Sequence, residues 1–342
     1  MNVIVFYDPI QESHSPTQPH VFGGELLPPA ETADRAKRLL GALERHGHRV
    51  VTPDDIDESL LLEVHSQRYL EFLETAHERW RAETGSPREG EAVPYIRPIP
   101  GTPWKAPPSV LAQMGWFSND VDPILEGTWP AVMGGARCAS SAAEASLSMG
   151  VAYALTRPPG HHAARETYGG YCFINNGAVA ASRLRQQMQR VAILDIDTHH
   201  GNGTQSIFWE RSDVLTISIH GDTTEHFPFF LGHEDERGAG EGLGYNRNHP
   251  LPTGSGWSAY RRALEASFDL IESFGAEALV VALGVDTHEA HGVLSLRGDD
   301  YSMIGSAIRS LGLPTTIVQE GGYEPDTLEE AVPAVLQGFT GD

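Results

Sequence analysis

The sequence predicts an α/β protein whose central, mostly parallel sheet carries helices on both faces. Six short apolar runs typical of buried strands alternate with segments long enough for helices, which is the pattern of a parallel sheet. These runs lie at 3–7, 151–155, 191–197, 214–220, 278–286 and 315–321. Between the fourth and fifth runs, apolar residues recur at helical spacing and are followed by Gly275, which predicts a helix that ends there. The residues of this apolar stripe are Tyr260, Leu264, Phe268 and Ile271.

The chain has 342 residues and a formal net charge of −22. This charge argues against nucleic acid as a partner, because phosphate binding requires clustered Lys and Arg, and it favours encounter with a cationic substrate. No run approaches the roughly 18 consecutive apolar residues of a membrane span, and MNVIVFYD lacks the basic start of a signal peptide. We therefore expect a protein without a membrane segment, in the cytoplasm. The two cysteines, Cys138 and Cys172, predict no disulfide framework.

Two pairs of adjacent histidines are the strongest functional signal, in RPPGHHA at 157–163 and DIDTHHGNG at 195–203. Asp195, Asp197 and His199 alternate with period two at the C-terminal end of the predicted strand 191–197, so their side chains should point to one side. A carboxylate and an imidazole two residues apart suit a zinc ion, which takes oxygen and nitrogen ligands. Asp195 also fits a helix cap, and the two roles can coexist.

A third metal ligand is expected at Asp286, which ends the apolar run in ALVVALGVDT at 278–287. Open α/β sheets place their ligands beyond the C-terminal ends of strands, although Asp also follows buried strands to form turns. Two carboxylates and one histidine leave positions open for water and substrate, which is typical of a catalytic zinc site. Because these ligands and the His161–His162 pair must converge, we expect one domain over residues 1–342.

Six motifs occur in the order and spacing of the zinc-dependent histone deacetylase superfamily, and the chain most resembles its bacterial acetylpolyamine amidohydrolases. The motifs are RPPGHHA, GGYCFINN, DIDTHHGNG, SIHGD, LGVDT and EGGY, and weaker likeness at 23–29 and 64–73 extends the resemblance over nearly the whole chain. The resemblance implies an arginase/deacetylase-like fold. It also implies a zinc-dependent hydrolase that removes acetyl groups from cationic amines.

The resemblance assigns roles to the catalytic residues. His162 would take a proton from water and deliver it to the leaving amine, with His161 as its electrostatic partner, and imidazole suits these transfers because its usual pKa is about 6.5. Tyr323 of EGGY would stabilise the oxyanion. The neighbours expected to orient these groups are Asp195, His200 and Asn202.

The resemblance also implies substrate contacts and structural monovalent cations, usually potassium. The substrate contacts are Asp120 at the rim, Gly170 through its carbonyl, and the aromatic walls Tyr171 and Phe227. One cation would use Asp195, Asp197, His199, Ser218 and Ile219. The second would use backbone carbonyls near Phe208, Arg211 and Val214.

The segment 85–108 is rich in Pro and Gly and is too long for a plain connection. In the polyamine enzymes that the chain resembles, the corresponding insertion pairs subunits and narrows the entrance to the active site. We therefore expect a homodimer with a restricted tunnel, in which Trp104, Trp116 and Phe117 line the entrance.

The substrate and the reaction class leave alternatives open. Asn202 stands where class I deacetylases carry Asp, which favours the class II and polyamine branches, whereas the segment after Asp286 lacks the Asp-Pro and aromatic pattern of polyamine enzymes. Acetylpolyamine is therefore the first expectation and protein acetyl-lysine the second, and iron is an alternative to zinc. Two alternative hypotheses for the function are an arginase-like di-manganese ureohydrolase and a non-catalytic protein that binds acyl or amine ligands. The residues expected at the rim, either in contact with substrate or solvated, are His288, Glu289 and His291.

Overall fold

The computed structural model describes residues 2–22, 25–99 and 105–341. Within these ranges the strands are β1 (Ile4–Phe6), β2 (His20–Phe22), β3 (Glu25–Leu27), β4 (Arg49–Val51), β5 (Val151–Ala154), β6 (Val191–Asp195), β7 (Val214–Gly221), β8 (Asn246–Leu251), β9 (Ala278–Leu283) and β10 (Thr315–Gln319). The helices are α1 (Ala33–Arg45), α2 (Glu58–Val64), α3 (Gln67–Thr84), α4 (Val110–Trp116), α5 (Thr128–Met149), α6 (Asn176–Arg185), α7 (Asn202–Phe208), α8 (Trp257–Phe274), α9 (Asp299–Arg309) and α10 (Pro325–Thr340).

Eight of these strands form one sheet in the order β4-β1-β5-β10-β9-β6-β7-β8, and every neighbouring pair is parallel. β2 and β3 form a separate antiparallel pair. The prediction of a mostly parallel sheet is confirmed, and all six predicted strands belong to it. Sequence inspection missed the two edge strands, because β4 has three residues and β8 (NRNHPL) is polar and contains a proline, which edge strands tolerate.

The strands are apolar throughout because both faces of the sheet are covered. Along β6, Ala192 and Leu194 join the core beneath α1, α8, α9 and α10, whereas Val191 and Ile193 join the core beneath α2 to α7. The predicted helix is α8, and Gly275 ends it in a left-handed conformation with φ 69°. In the part of the chain that the structure describes, no helix is both long and apolar enough to cross a membrane. Both cysteines are buried free thiols.

The described parts of the predicted insertion, 85–99 and 105–108, contain no helix or strand apart from a single bridge between Ala92 and Ile124. Trp104 lies outside the described residues. Phe117 is 6 % exposed and its ring packs 4.8 Å from that of Phe72, and both Phe117 and Trp116 line a surface cleft beside Ala106 and Pro107 of the insertion. That Trp116 and Phe117 line an entrance to the active site stays a prediction.

Four neighbouring strands, β5, β10, β9 and β6, present their C-terminal ends at the same edge of the sheet. The segments that follow them contain the two histidine pairs, the LGVDT motif and the EGGY motif. This edge is where open parallel sheets place their ligands. The topology therefore brings together motifs that lie up to about half the chain apart in sequence.

Candidate active site and metal centre

Asp197, His199 and Asp286 meet just beyond the ends of β6 and β9. Their ligand-type atoms all lie within 4.8 Å of one another. His199 Nδ1 lies 3.2 Å from Asp197 Oδ1 and 3.1 Å from Asp286 Oδ2. The backbone allows this approach only because residue 321 is glycine, since a Cβ there would lie 2.4 Å from Asp286 Oδ2 and 2.5 Å from Asp197 Oδ2. The structure thus assembles the three predicted metal ligands in one place.

These three residues fit a divalent cation. Asp286 Oδ2 is buried and accepts no hydrogen bond of good geometry within the described part of the chain, with His199 Nδ1 3.1 Å away. Burial alone would lower the pKa of His199, but the carboxylates of Asp197 and Asp286 outweigh it and raise that pKa to about 10. The pocket therefore favours positive charge between the carboxylates. Two carboxylates and one imidazole are a ligand set that zinc accepts while keeping a position open.

The histidine pair lies beside this triad, with ring centroids 3.9 Å apart and both residues buried. His161 Nδ1 lies 2.9 Å from Asp195 Oδ2, and His162 Nδ1 lies 2.7 Å from Asn202 Oδ1. Because an amide oxygen can only accept, His162 Nδ1 carries a proton and its Nε2 is left with a lone pair. His162 is thus oriented to accept a proton through Nε2.

The two imidazoles differ in charge preference. Burial opposes a charged His161, but the carboxylates of Asp195 and Asp197 outweigh it and raise the pKa of His161 to about 10. Burial and the neighbouring His161 hold the pKa of His162 well below its usual value. The pair is therefore suited to hold a positive charge at His161 while His162 stays neutral and able to accept a proton.

Tyr323 follows the C-terminal end of β10 and lies at the same site. Its ring packs at 65° to that of Tyr171, with centroids 5.4 Å apart, and the Arg35 guanidinium carbon lies 4.5 Å from the ring centroid. Arg35 also donates to the carbonyl oxygen of Gly322 at 2.7 Å. Burial raises the pKa of Tyr323 well above its usual value, with Arg35 opposing the shift. The phenol therefore keeps its proton and can donate a hydrogen bond.

Of the predicted walls of the substrate channel, Phe227 lies beside the histidines and Tyr171 lies beside Tyr323. The Phe227 ring centroid is 4.9 Å from that of His162 and 6.1 Å from that of His199. Tyr171 adopts φ 66°, which a non-glycine residue rarely does, and its N–H donates to Asp122 Oδ1 at 3.0 Å. The loop that carries Tyr171 is thus held in a strained conformation of the kind found at functional sites.

Gly170 packs between His162 and Phe227, and we expect Gly170→Ala to lower kcat/KM by about 100-fold, as misplacement of a catalytic group does. A Cβ at this position would lie 2.4 Å from His162 Cδ2 and 3.1 Å from the Phe227 ring, and φ 57° already favours glycine. Steady-state kinetics checks the effect. Gly177→Ala is the matched control, because the nearest atom to its Cβ is 3.6 Å away. Normal activity in Gly170→Ala would contradict the prediction that catalysis requires His162 to keep its position against Gly170.

The predicted rim carboxylate Asp120 accepts a hydrogen bond from Gly170 N at 3.3 Å, so the structure brings it to the channel. Beyond Asp286, His288 accepts a bond from Ala290 N at 3.1 Å, and Glu289 forms an ion pair with Arg297. Both thus have partners near their own turn. Contact of these two residues and of half-buried His291 with substrate stays a prediction.

The residues predicted for monovalent cations lie in two places. Asp195 and Ser218 are partners across β6 and β7, and Ile219 follows Ser218. Phe208 ends α7, and its carbonyl oxygen accepts a hydrogen bond from Arg211 N at 3.0 Å just before Val214 begins β7. His200, expected to orient the catalytic groups, packs against the His220 ring at 4.7 Å. Both cation sites stay predictions.

A sequence profile of the histone deacetylase domain matches residues 29–339. The chain belongs to the histone deacetylase family. The matched range includes every residue predicted for the site. The family assignment therefore agrees with the geometry of the metal triad and the histidine pair.

Close relatives within the histone deacetylase family share almost the whole chain. Acetylpolyamine amidohydrolase of Mycoplana ramosa is 42 % identical over 94 % of this chain and 95 % of that protein. Acetylpolyamine amidohydrolase 1 of Pseudomonas aeruginosa is 42 % identical over 95 % of each. The crystal structure of acetylpolyamine aminohydrolase from Burkholderia pseudomallei superposes with a TM-score of 0.91 and 39 % identity, covering 99 % of this chain and 98 % of that one.

Three buried charged residues at the site were missed from the sequence: Arg35, Asp122 and Glu320. Arg35 stands in a helix with no motif around it. Asp122 lies two residues from Asp120, and only the fold decides that it meets Tyr171 N. Glu320 begins the EGGY motif, which offered the one available signal, but its partners lie about 160 residues away.

Proposed function

We propose that this protein is a zinc-dependent amidohydrolase that removes acetyl groups from acetylated polyamines. One observation carries the proposal: a triad of two carboxylates and one imidazole that fits a metal lies beside a pair of histidines. The pKa of one histidine of the pair is raised and that of the other is lowered, so one favours the charged form and the other the neutral form. The relatives named acetylpolyamine amidohydrolase support the substrate class. The whole range 1–342 is taken as one catalytic domain, since the site draws on residues from Arg35 to Tyr323.

The metal would be held by Asp197, His199 and Asp286. When bound, zinc supplies a Lewis acid for the amide carbonyl and lowers the pKa of water beside it. His162 Nε2 accepts the proton of the attacking water and returns it to the leaving nitrogen, so that water and the amide give acetate and a free amine. A positive charge on His161 is balanced by Asp195. The Tyr323 hydroxyl donates to the carbonyl oxygen as negative charge develops on it.

The residues expected to contact substrate and the charge of the protein both favour a small cationic amine. Tyr171 and Phe227 offer aromatic surface to an aliphatic chain, and the Gly170 carbonyl would accept from its amide N–H. A net charge of −22 attracts a cationic molecule to the protein over distances set by ionic strength. A small acetylated diamine or triamine satisfies both features.

Free acetylated amines should therefore be hydrolysed better than acetyl-lysine within a folded protein. We expect kcat/KM for acetylated putrescine, cadaverine or spermidine to exceed that for folded acetylated protein by about tenfold or more, a difference of about 1.4 kcal/mol. A short acetyl-lysine peptide is the matched comparison, because it presents the same amide without the bulk. Equal efficiency on all three kinds of substrate would instead favour a protein deacetylase with an open site.

Three further properties belong to the same proposal. A homodimer is supported by exposed apolar side chains of the insertion, among them Tyr95 at 73 % and Ile96 at 53 % exposure, since such surface is typically covered by a partner. Structural potassium would use the two cation sites described above. The cytoplasmic location stays a prediction.

A further inference from the structure

Glu320 is a fully buried carboxylate to which the mechanism above gives no role. Its Oε2 accepts hydrogen bonds from Gly160 N at 2.6 Å and from His161 N at 3.0 Å. Its side chain has no exposed surface, and among the described residues no donor reaches Oε1. One carboxylate oxygen thus ties the backbone of the RPPGHHA segment to the end of β10.

The backbone that follows Glu320 is tied to the rest of the site. Gly321 N donates to Asp197 Oδ2 at 2.8 Å, and Arg35 donates to the carbonyl oxygens of Glu320 at 2.8 Å and Gly322 at 2.7 Å. Tyr323 follows directly. The four-residue stretch 320–323 therefore connects the histidine pair, a predicted metal ligand and the predicted oxyanion donor.

The histidine segment packs closely against a neighbouring helix next to this anchor. A Cβ at Gly160 would lie 2.4 Å from Asn176 N and 2.9 Å from the Ile174 carbonyl oxygen, so the backbone passes close to the start of α6. The Gly160 N–H faces Glu320 and donates to it. Loss of that acceptor would leave two buried N–H groups without a partner, which the chain would relieve by moving the loop.

We propose that Glu320 is a positioning residue whose carboxylate oxygen fixes the His161–His162 dipeptide relative to the metal ligands and Tyr323. The inference rests on the proposed deacetylation. Hydrogen-bond geometry rather than charge carries the effect, because two N–H groups need only an oxygen that accepts from both. Burial also raises the pKa of Glu320 to about 7, so a neutral side chain is already tolerated here near neutral pH.

Three variants separate geometry from charge. Glu320→Gln keeps an oxygen in place and removes the charge. Glu320→Asp keeps the charge and withdraws the oxygen by one bond of about 1.5 Å. Glu320→Met fills the space with a side chain that has no oxygen. We expect kcat of Glu320→Gln to stay within about threefold of wild type, since its amide oxygen accepts both bonds. We expect kcat of the Asp and Met variants to fall by about tenfold or more with little change in KM and zinc content.

A second measurement on the same variants is ¹⁵N NMR of histidine-labelled, zinc-loaded protein, which reports the surroundings of each imidazole. The imidazole signals of the histidine pair should coincide in wild type and Glu320→Gln and shift in Glu320→Asp. If Met fails to fold, the comparison of Gln with Asp still decides. The proposal is overturned if kcat falls in Glu320→Gln but stays normal in Glu320→Asp. It is also overturned if a folded Glu320→Met variant keeps a normal kcat. Absence of wild-type activity on every acetylated amine would overturn the proposed function instead, and the NMR comparison would still test Glu320.

Discussion

Asp286→Ala should abolish both zinc binding and hydrolysis, and Asp197→Ala and His199→Ala should do the same. Each removes one of three ligand-type side chains whose atoms lie within 4.8 Å of one another. A catalytic zinc ion is held by three protein ligands, so the two that remain would bind it far more weakly. Wild-type protein should hold one zinc per chain, and the three variants should hold close to none. Metal analysis together with kcat measures both effects.

A matched control and a stability measurement make this prediction specific. Asp54→Ala removes an exposed carboxylate and should leave zinc content and kcat unchanged. Zinc should raise the Tm of wild type, because a ligand that binds only the folded state stabilises it, but it should not raise that of Asp286→Ala. Wild-type zinc content in any of the three variants would remove that residue from the metal site. Two metals per chain would favour the ureohydrolase alternative.

Much of the fold could be predicted because the buried strands are nearly continuous apolar runs, which few other elements produce. The strand predicted over 191–197 ends at Asp195, two residues early, because Asp197 and His199 turn out of the sheet toward Asp286. The period-two argument therefore named the right residues, although two of them lie beyond the strand. Polar or very short strands such as β8 and β4 carry no such pattern and were missed.

The site was predicted as far as its motifs reach. Residues that act through adjacent sequence, such as Asp197 and His199, leave a local signature. Arg35 and Glu320 act through contacts with backbone far away in the chain, and a single charged residue gives no local indication of a partner about 160 or 285 positions distant. Side chains that bind distant backbone groups are thus the part of the site that a single sequence does not allow one to predict.

Tyr323→Phe should lower kcat by about 10²–10³, or about 2.7–4 kcal/mol, the usual cost of removing one oxyanion donor. The substitution removes only the hydroxyl, so the ring should keep its contacts with Tyr171 and Arg35. Because the hydrogen bond strengthens as charge develops on the carbonyl oxygen, the loss should appear in kcat far more than in KM. Steady-state kinetics on an acetylated diamine measures both.

Zinc content and Tm should stay near wild type in Tyr323→Phe, since the hydroxyl lies outside the metal triad. Tyr245→Phe is the control, because it removes a hydroxyl next to the N-terminal end of β8, at the edge of the sheet opposite the site. The high pKa that burial gives Tyr323 keeps its proton in place over the working pH range, so the defect of the Phe variant should not vary with pH near neutrality. Near-normal kcat with intact zinc would mean that Tyr323 only packs against its neighbours and that the metal alone stabilises the oxyanion.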